Sequence, residues 1–180
     1  TTSGTQTYTG ATTLSGGDRT LTGSTMNFGS TVAGGSNALA ISGNLDLDGA
    51  ATGLTSLTVS GTSNLGANVT TSGIQTYTGA TTLSGGDRTL TGSTITITST
   101  LAGGNNALVI TGDLEIDDDA TGLSTLSVSG TTDLGGDVTT SGTQTYTGAV
   151  TLSTGDRILT GSTVNFVSTL AGGTNALTIT

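Results

Sequence analysis

The sequence predicts an all-β protein that folds as a parallel β-solenoid. Three observations lead to this fold: the chain is built from a 69-residue repeat, short words of alternating apolar and polar residues recur inside each repeat, and glycine-rich runs separate the words. The 45 Thr, 20 Ser and 31 Gly residues make up more than half of the chain, a composition that is also compatible with disorder. The regular repeat favours an ordered array.

The repeat divides the chain into residues 1–69, 70–138 and 139–180, the last of which covers only part of a unit. The motif Thr-Thr-Ser-Gly opens each unit, at Thr1, Thr70 and Thr139. No linker and no change in composition separates the units. We therefore interpret residues 1–180 as a single continuous solenoid. We expect it to extend past both ends, by further covalent repeats or by end-to-end stacking of copies.

A shorter period inside the repeat predicts the individual coils. Two series of apolar residues advance along the chain by the same repeating steps of 18, 15, 18 and 18. The first series is Tyr8, Met26, Ile41, Val59, Tyr77, Ile95, Ile110, Val128, Tyr146, Val164 and Ile179. The second is Leu14, Val32, Leu47, Leu65, Leu83, Leu101, Ile116, Leu134, Leu152 and Leu170. These steps predict 15–18-residue coils, four in each 69-residue repeat, with parallel pairing between coils.

A third and weaker series indicates a third face, and its members are Leu21, Leu54, Leu90, Leu123 and Leu159. Glycine-rich runs such as residues 84–87 and 102–105 supply the corners, because Gly, Asn and Asp tolerate positive φ. We expect the Ala-Gly-Gly runs to mark the shortened, 15-residue coil. In the interior, we expect Phe28 and Ile97 each to fill the space between glycines of the neighbouring coils.

The composition excludes several classes of function. The chain has no Cys, His or Lys, which excludes disulfides, thiolate and imidazole metal sites, and Ser-His-Asp triads. Three Arg face 12 acids, and the net charge of −9 has the wrong sign for nucleic acid or anionic membranes as partners. No apolar run approaches the ~20 residues of a membrane span, so we expect no membrane insertion. We also expect that the protein is not an enzyme. A polysaccharide-degrading β-helix enzyme would need a clustered acid–base pair in a cleft, which the sequence does not indicate.

The acidic residues are the candidate metal ligands. Asp46 and Asp48 flank an inward Leu47, and Glu115 and Asp117 occupy the same places one repeat later, with Asp133 one coil further on. Outward carboxylates in this pattern indicate a candidate Ca²⁺ site, since Ca²⁺ takes several oxygen ligands. The alternative is a solvated acidic face that opposes association between sheets. We expect no other cofactor.

Two further motifs recur on the predicted surface. Gly-Asp-Arg holds all three arginines of the chain, and we expect its Asp and Arg to form a surface ion pair at a turn. Outward hydroxyl pairs would form two rows on one face, an arrangement that resembles the Thr arrays of ice-binding solenoids. These pairs are Thr7/Thr9, Thr58/Ser60, Thr76/Thr78, Thr94/Thr96, Ser127/Ser129, Thr145/Thr147 and Thr178/Thr180. The high β-propensity of Thr explains the same pattern without ice.

The words TTSGTQTYTGAVTL, TGSTVNF, STLAGGTNALTIT and TSLTVSGTSNLG carry a resemblance to a known family. They resemble the Thr/Gly-rich repeats of giant bacterial surface proteins, the filamentous-haemagglutinin-like and autotransporter-type adhesins. The resemblance implies a right-handed parallel β-helix, secretion, and a role as a stalk or adhesive fibre.

The sequence thus leads to a functional expectation. We expect a non-enzymatic, extracellular fibre or adhesin shaft at the cell surface, built by coil stacking. Its partners would be further copies or repeats of itself, and a host, cell, mineral or ice surface. The alternative is a ligand-binding solenoid, for ice through the Thr rows or for Ca²⁺ through the acidic coil.

Overall fold

The computed structural model describes residues 1–180, which form strands and turns but no helix. Consequently no helix is long and apolar enough to cross a membrane. The strands in chain order are β1 (Gln6–Tyr8), β2 (Thr12–Thr13), β3 (Arg19–Phe28), β4 (Val32–Leu47), β5 (Ala51–Val59), β6 (Ser63–Leu65), β7 (Val69–Thr71), β8 (Gln75–Tyr77), β9 (Thr81–Leu83), β10 (Arg88–Ile97), β11 (Leu101–Ala102), β12 (Leu108–Ile116), β13 (Ala120–Leu123), β14 (Leu126–Val128), β15 (Thr132–Leu134), β16 (Val138–Thr140), β17 (Thr143–Tyr146), β18 (Val150–Leu152), β19 (Arg157–Thr160), β20 (Thr163–Phe166), β21 (Leu170–Ala171) and β22 (Leu177–Ile179).

The strands stack as a parallel β-solenoid with three faces, which confirms the predicted fold class. Every strand pair is parallel, and each strand between the first and last turns lies between its counterparts one turn before and one turn after. Face 1 begins with β1, face 2 with β2 and face 3 with the first half of β3, and the order then recurs in each turn. The longer strands β3, β4, β5, β10 and β12 bend at a corner and contribute to more than one face.

The turns are longer and fewer than the predicted coils. The solenoid has about nine turns of about 19 residues, instead of the predicted 15–18-residue coils that recur four times per repeat. Met26 pairs with Leu45 rather than following the predicted step to Ile41, whose partner in the turn before is Leu21.

The corners explain this difference in turn length. Where a turn has neither a Gly-Asp-Arg nor an Ala-Gly-Gly corner, its register matches the predicted 18-residue step, as in the pair Leu45–Ser63. The pair Gln6–Met26 spans a longer turn, which includes the first Gly-Asp-Arg corner. The pair Met26–Leu45 likewise spans a longer turn, which includes the first Ala-Gly-Gly run. The Ala-Gly-Gly run therefore lengthens its turn, contrary to the prediction.

The 69-residue repeat does not correspond to a whole number of turns. Gln6, Gln75 and Gln144 occupy equivalent places in the repeat, but they lie on faces 1, 3 and 2. One repeat thus spans three complete turns and two further faces, and the next repeat is rotated by one third of a turn. The boundaries between repeats fall inside or beside strands β7 and β16, so the sheet passes through them without interruption.

The interior is one continuous apolar core of 34 buried residues. The prediction that Phe28 lies between glycines is wrong, because Phe28 stacks on the Tyr8 ring at 4.9 Å and pairs with Leu47 on its other side. Ile97 likewise lies between Tyr77 and Ile116. The core therefore stacks large side chains on large side chains, which is the pairing that parallel in-register strands bring about.

A buried polar unit recurs in this core once per repeat. In the second repeat the Tyr77 hydroxyl donates to Gln75 Oε1 at 2.8 Å, and Gln75 Nε2 donates to the Thr91 carbonyl of the next turn at 2.8 Å. Gln144 and Tyr146 repeat this arrangement in the third unit. Both side chains of each pair are fully buried, and their hydrogen bonds leave no polar atom of the pair without a partner. The bond from the glutamine to the carbonyl also joins two successive turns.

Candidate functional site

A shallow groove on the outer surface occurs twice, at equivalent places in two successive repeats. The first copy lies on face 1 and is lined by Thr25, Asn44, Asp46, Thr62, Asn64 and Thr82. The second copy lies on face 3 and is lined by Thr94, Asp113, Glu115, Thr131, Asp133 and Thr151. The rotation between repeats moves the groove from one face to another. The candidate ligands Asp46 and Glu115, which occupy equivalent places in successive repeats, therefore lie on different faces.

In the first groove the carboxylate is bonded to amides. Asp46 accepts a hydrogen bond from Asn27 Nδ2 of the turn before at 3.0 Å and from Asn64 Nδ2 of the turn after at 2.8 Å. Each carboxylate oxygen therefore has a donor from a neighbouring turn. The companion candidate Asp48 lies exposed at the adjacent corner. This arrangement links three turns through one side chain.

In the second groove a hydroxyl, Thr96, and a carboxylate, Asp133, stand where the first groove has its two amides. Thr96 Oγ1 donates to Glu115 Oε2 at 3.1 Å, but the neighbour on the other side is Asp133 instead of an amide donor. One oxygen of Asp133, Oδ1, is buried without a hydrogen-bond partner. Partial burial, followed by the charges of Glu115 and Asp133, raises the pKa of Asp117 above its ordinary value. The second groove therefore carries uncompensated negative charge.

Asp133 stacks on Glu115 of the turn before, as predicted, whereas Asp46 lies on a different face. No group of three acidic side chains converges closely enough to hold a metal ion. Calcium binding stays a prediction.

Sequence reasoning missed Asn27 and Asn64 as partners of Asp46. Each of these asparagines lies one whole turn away from Asp46 along the chain, on either side of it. A separation of one turn identifies two residues as neighbours only once the length of that turn is known. The identity of the two residues as amide donors was therefore visible in the sequence, but their position beside Asp46 was not.

In the Gly-Asp-Arg motifs the Asp side chain bonds to the backbone of the next turn. The Asp and Arg of one motif do not form the predicted ion pair with each other. Asp18 Oδ1 accepts the Ala38 N–H of the next turn at 2.8 Å, and Asp87 does the same for Ala107. The guanidinium of Arg88 donates to the Ser84 carbonyl, within its own corner, at 2.8 Å. One ion pair is present, between Arg157 and an Asp137 oxygen at 3.6 Å, and its acid lies outside the motif.

The predicted hydroxyl rows do not form. Thr58, Thr76 and Thr96 stack on face 3, but Ala40 precedes them and Glu115 follows them in the same row. The other pairs lie elsewhere, with Thr7 and Thr178 on face 1 and Ser127 and Thr145 on face 2. Three hydroxyls in register do not provide the extended lattice on which the ice-binding alternative depended.

Comparison with models of protein families, with curated proteins and with solved structures found no match to this chain. The fold and the contacts described above are therefore the observations on which a function can be argued.

Proposed function

We propose that this chain is a rod-forming structural segment, the shaft of an extracellular fibre or of a bacterial surface adhesin. One observation carries the proposal: the sheet and core continue through both repeat boundaries, at β7 and β16. A repeat of this kind adds length without adding a domain, because each turn packs on the next by the same contacts. Location at the cell surface follows from the resemblance of the repeat words to adhesin shafts.

The bonds between turns support a mechanical role. Main-chain hydrogen bonds of the parallel strands run along the axis of the rod, from one turn to the next. Side chains add further links between turns, at Asp46, at Asp18 and in the Gln75–Tyr77 unit. A force along the axis is therefore distributed over three faces in parallel.

The outer surface also fits a shaft better than an enzyme. Two of its three concave features are the shallow grooves of Thr, Asn and acidic side chains, and the third is lined by Gly53, Leu54 and the hydroxyl residues Ser36, Thr70, Thr71 and Ser72. An acid–base pair in a water-excluding cleft would be needed for hydrolysis of a polysaccharide. We therefore assign the grooves no reaction.

The proposal is tested by changing the number of repeats. A second copy of residues 70–138 inserted after position 138 should lengthen the rod by about 17–18 Å, since each turn rises by the ~4.8 Å strand spacing. Small-angle scattering or electron microscopy of both chains would measure the difference. A matched control inserts a scrambled segment of the same length and composition. Unchanged rod length with the intact repeat, or equal lengthening with the scrambled segment, would contradict the proposal.

A further inference from the structure

We propose that Asn68 is an acceptor for N-linked glycosylation, with a lipid-diphosphate-linked oligosaccharide as the donor. Asn68-Val69-Thr70 matches the Asn-X-Ser/Thr acceptor pattern, and none of the other asparagines is followed by Ser or Thr at the second place after it. The proposal rests on the extracellular location proposed above, because this donor serves chains that leave the cytoplasm.

The local structure presents the acceptor to solvent. Asn68 and Thr70 are both exposed, and Val69 between them points into the core with no exposed surface. The alternation of a strand thus places the amide and the hydroxyl on the same outer side. Asn68 lies at the corner that leads into β7, away from the stacked apolar side chains, so a bulky group on it displaces none of the core.

The hydrogen bonds of Asn68 leave its nitrogen available. Its Oδ1 accepts the Thr89 N–H of the next turn at 2.9 Å, whereas its Nδ2 donates to no group of the chain. By contrast, the side-chain nitrogens of Asn27, Asn37, Asn64 and Asn106 all donate to carbonyl or carboxylate oxygens. The fixed Oδ1 therefore directs a free amide nitrogen outward.

The chemical step is a substitution at the anomeric carbon of the donor sugar. Nδ2 of Asn68 forms the new C–N bond while the C–O bond to the diphosphate breaks. The lipid diphosphate leaves with the electron pair of that bond, and one amide proton passes to a base of the transferase. No redox partner is needed.

The second repeat supplies an internal control. Asp137 occupies the place of Asn68, and its Oδ1 accepts the Ile158 N–H of the next turn at 2.9 Å. Val138 and Thr139 follow it, as Val69 and Thr70 follow Asn68. The position before the strand and the bond to the next turn are thus the same, but Asp137 is half-buried, pairs with Arg157 and has a carboxylate in place of the acceptor amide. The substitution Asp137→Asn should create a second acceptor one third of a turn away around the rod.

The test is intact-mass spectrometry of the chain secreted from cells that contain an Asn-X-Ser/Thr oligosaccharyltransferase. The parent chain should carry one glycan that peptide-N-glycosidase removes, Asn68→Gln and Thr70→Val should carry none, and Asp137→Asn should carry two. An unmodified parent chain, or a glycan that persists in Asn68→Gln, would overturn the assignment. The rod-length measurement uses unglycosylated protein, so failure of either proposal can be recognised separately.

Discussion

Single residues decide how closely successive turns approach one another. Gly112 has φ of 136°, and a Cβ at this position would overlap the Gly92 carbonyl oxygen of the turn before. Gly43 has the same conformation one repeat earlier, against Gly23. The sequence predicts glycine at corners, but it does not show which glycines are required by a neighbouring turn. That information depends on the register between turns, which local composition does not contain.

The acidic groove on face 3 gives a prediction at the same scale. The raised pKa of Asp117 means that the folded chain holds this proton to higher pH than the unfolded chain does. The stabilising contribution is present below the ordinary pKa of an Asp and is lost as pH rises through the raised value. Asp117→Asn should remove this pH dependence, and Glu115→Gln should weaken it. Melting curves across the acidic pH range would show the change.

Calcium provides the control for that experiment. If the carboxylates of the groove only face solvent, millimolar Ca²⁺ should leave the melting temperature of the parent chain and of Asp117→Asn unchanged. A rise in the parent chain that Asp117→Asn and Glu115→Gln abolish would instead establish a calcium site at this groove.

At the scale of strands, the predicted 18-residue step is correct for some turns and wrong for others, depending on which corners a turn contains. The predicted 18-residue steps correctly pair Ile41 with Val59 and Val59 with Tyr77, because the turns between them have no Gly-Asp-Arg or Ala-Gly-Gly corner. The predicted steps fail wherever such a corner lengthens the turn. The weaker apolar word at Leu90 forms the first part of β10 and occupies a different face from the second part of that strand. One repeat therefore holds eleven strand segments, three to a turn, rather than four coils.

The buried Gln–Tyr unit should contribute to this strand register. Gln75→Leu would leave the Tyr77 hydroxyl and the Thr91 carbonyl without their partner in the core, at a cost of about 1–3 kcal/mol. For a chain of this size each 1 kcal/mol lowers the melting temperature by about 2–4 °C. Tyr77→Phe is the matched control, and the double variant should lose less than the sum of the single losses. Strict additivity would show that the two side chains are not coupled.

At the scale of the whole molecule, one repeat equals 3⅔ turns of the solenoid. Three repeats would then make eleven turns, so a given surface feature returns to its face only in every third repeat. A rod of such repeats presents its grooves successively on all three faces, about 17–18 Å apart along the axis. The sequence predicts the length of the repeat correctly, but the rotation between repeats follows from the turn length, which the sequence prediction underestimated.

The most direct test of this claim is disulfide formation between two introduced cysteines, since the chain has none of its own. Thr76 pairs directly with Thr96 on the next turn, whereas the predicted 18-residue coil would pair it with Thr94. Directly paired residues of neighbouring strands are ~4.8 Å apart, within the span of a disulfide. We expect oxidation to close an intramolecular disulfide in Thr76→Cys/Thr96→Cys and not in Thr76→Cys/Thr94→Cys. The opposite result would contradict the register and, with it, the turn count.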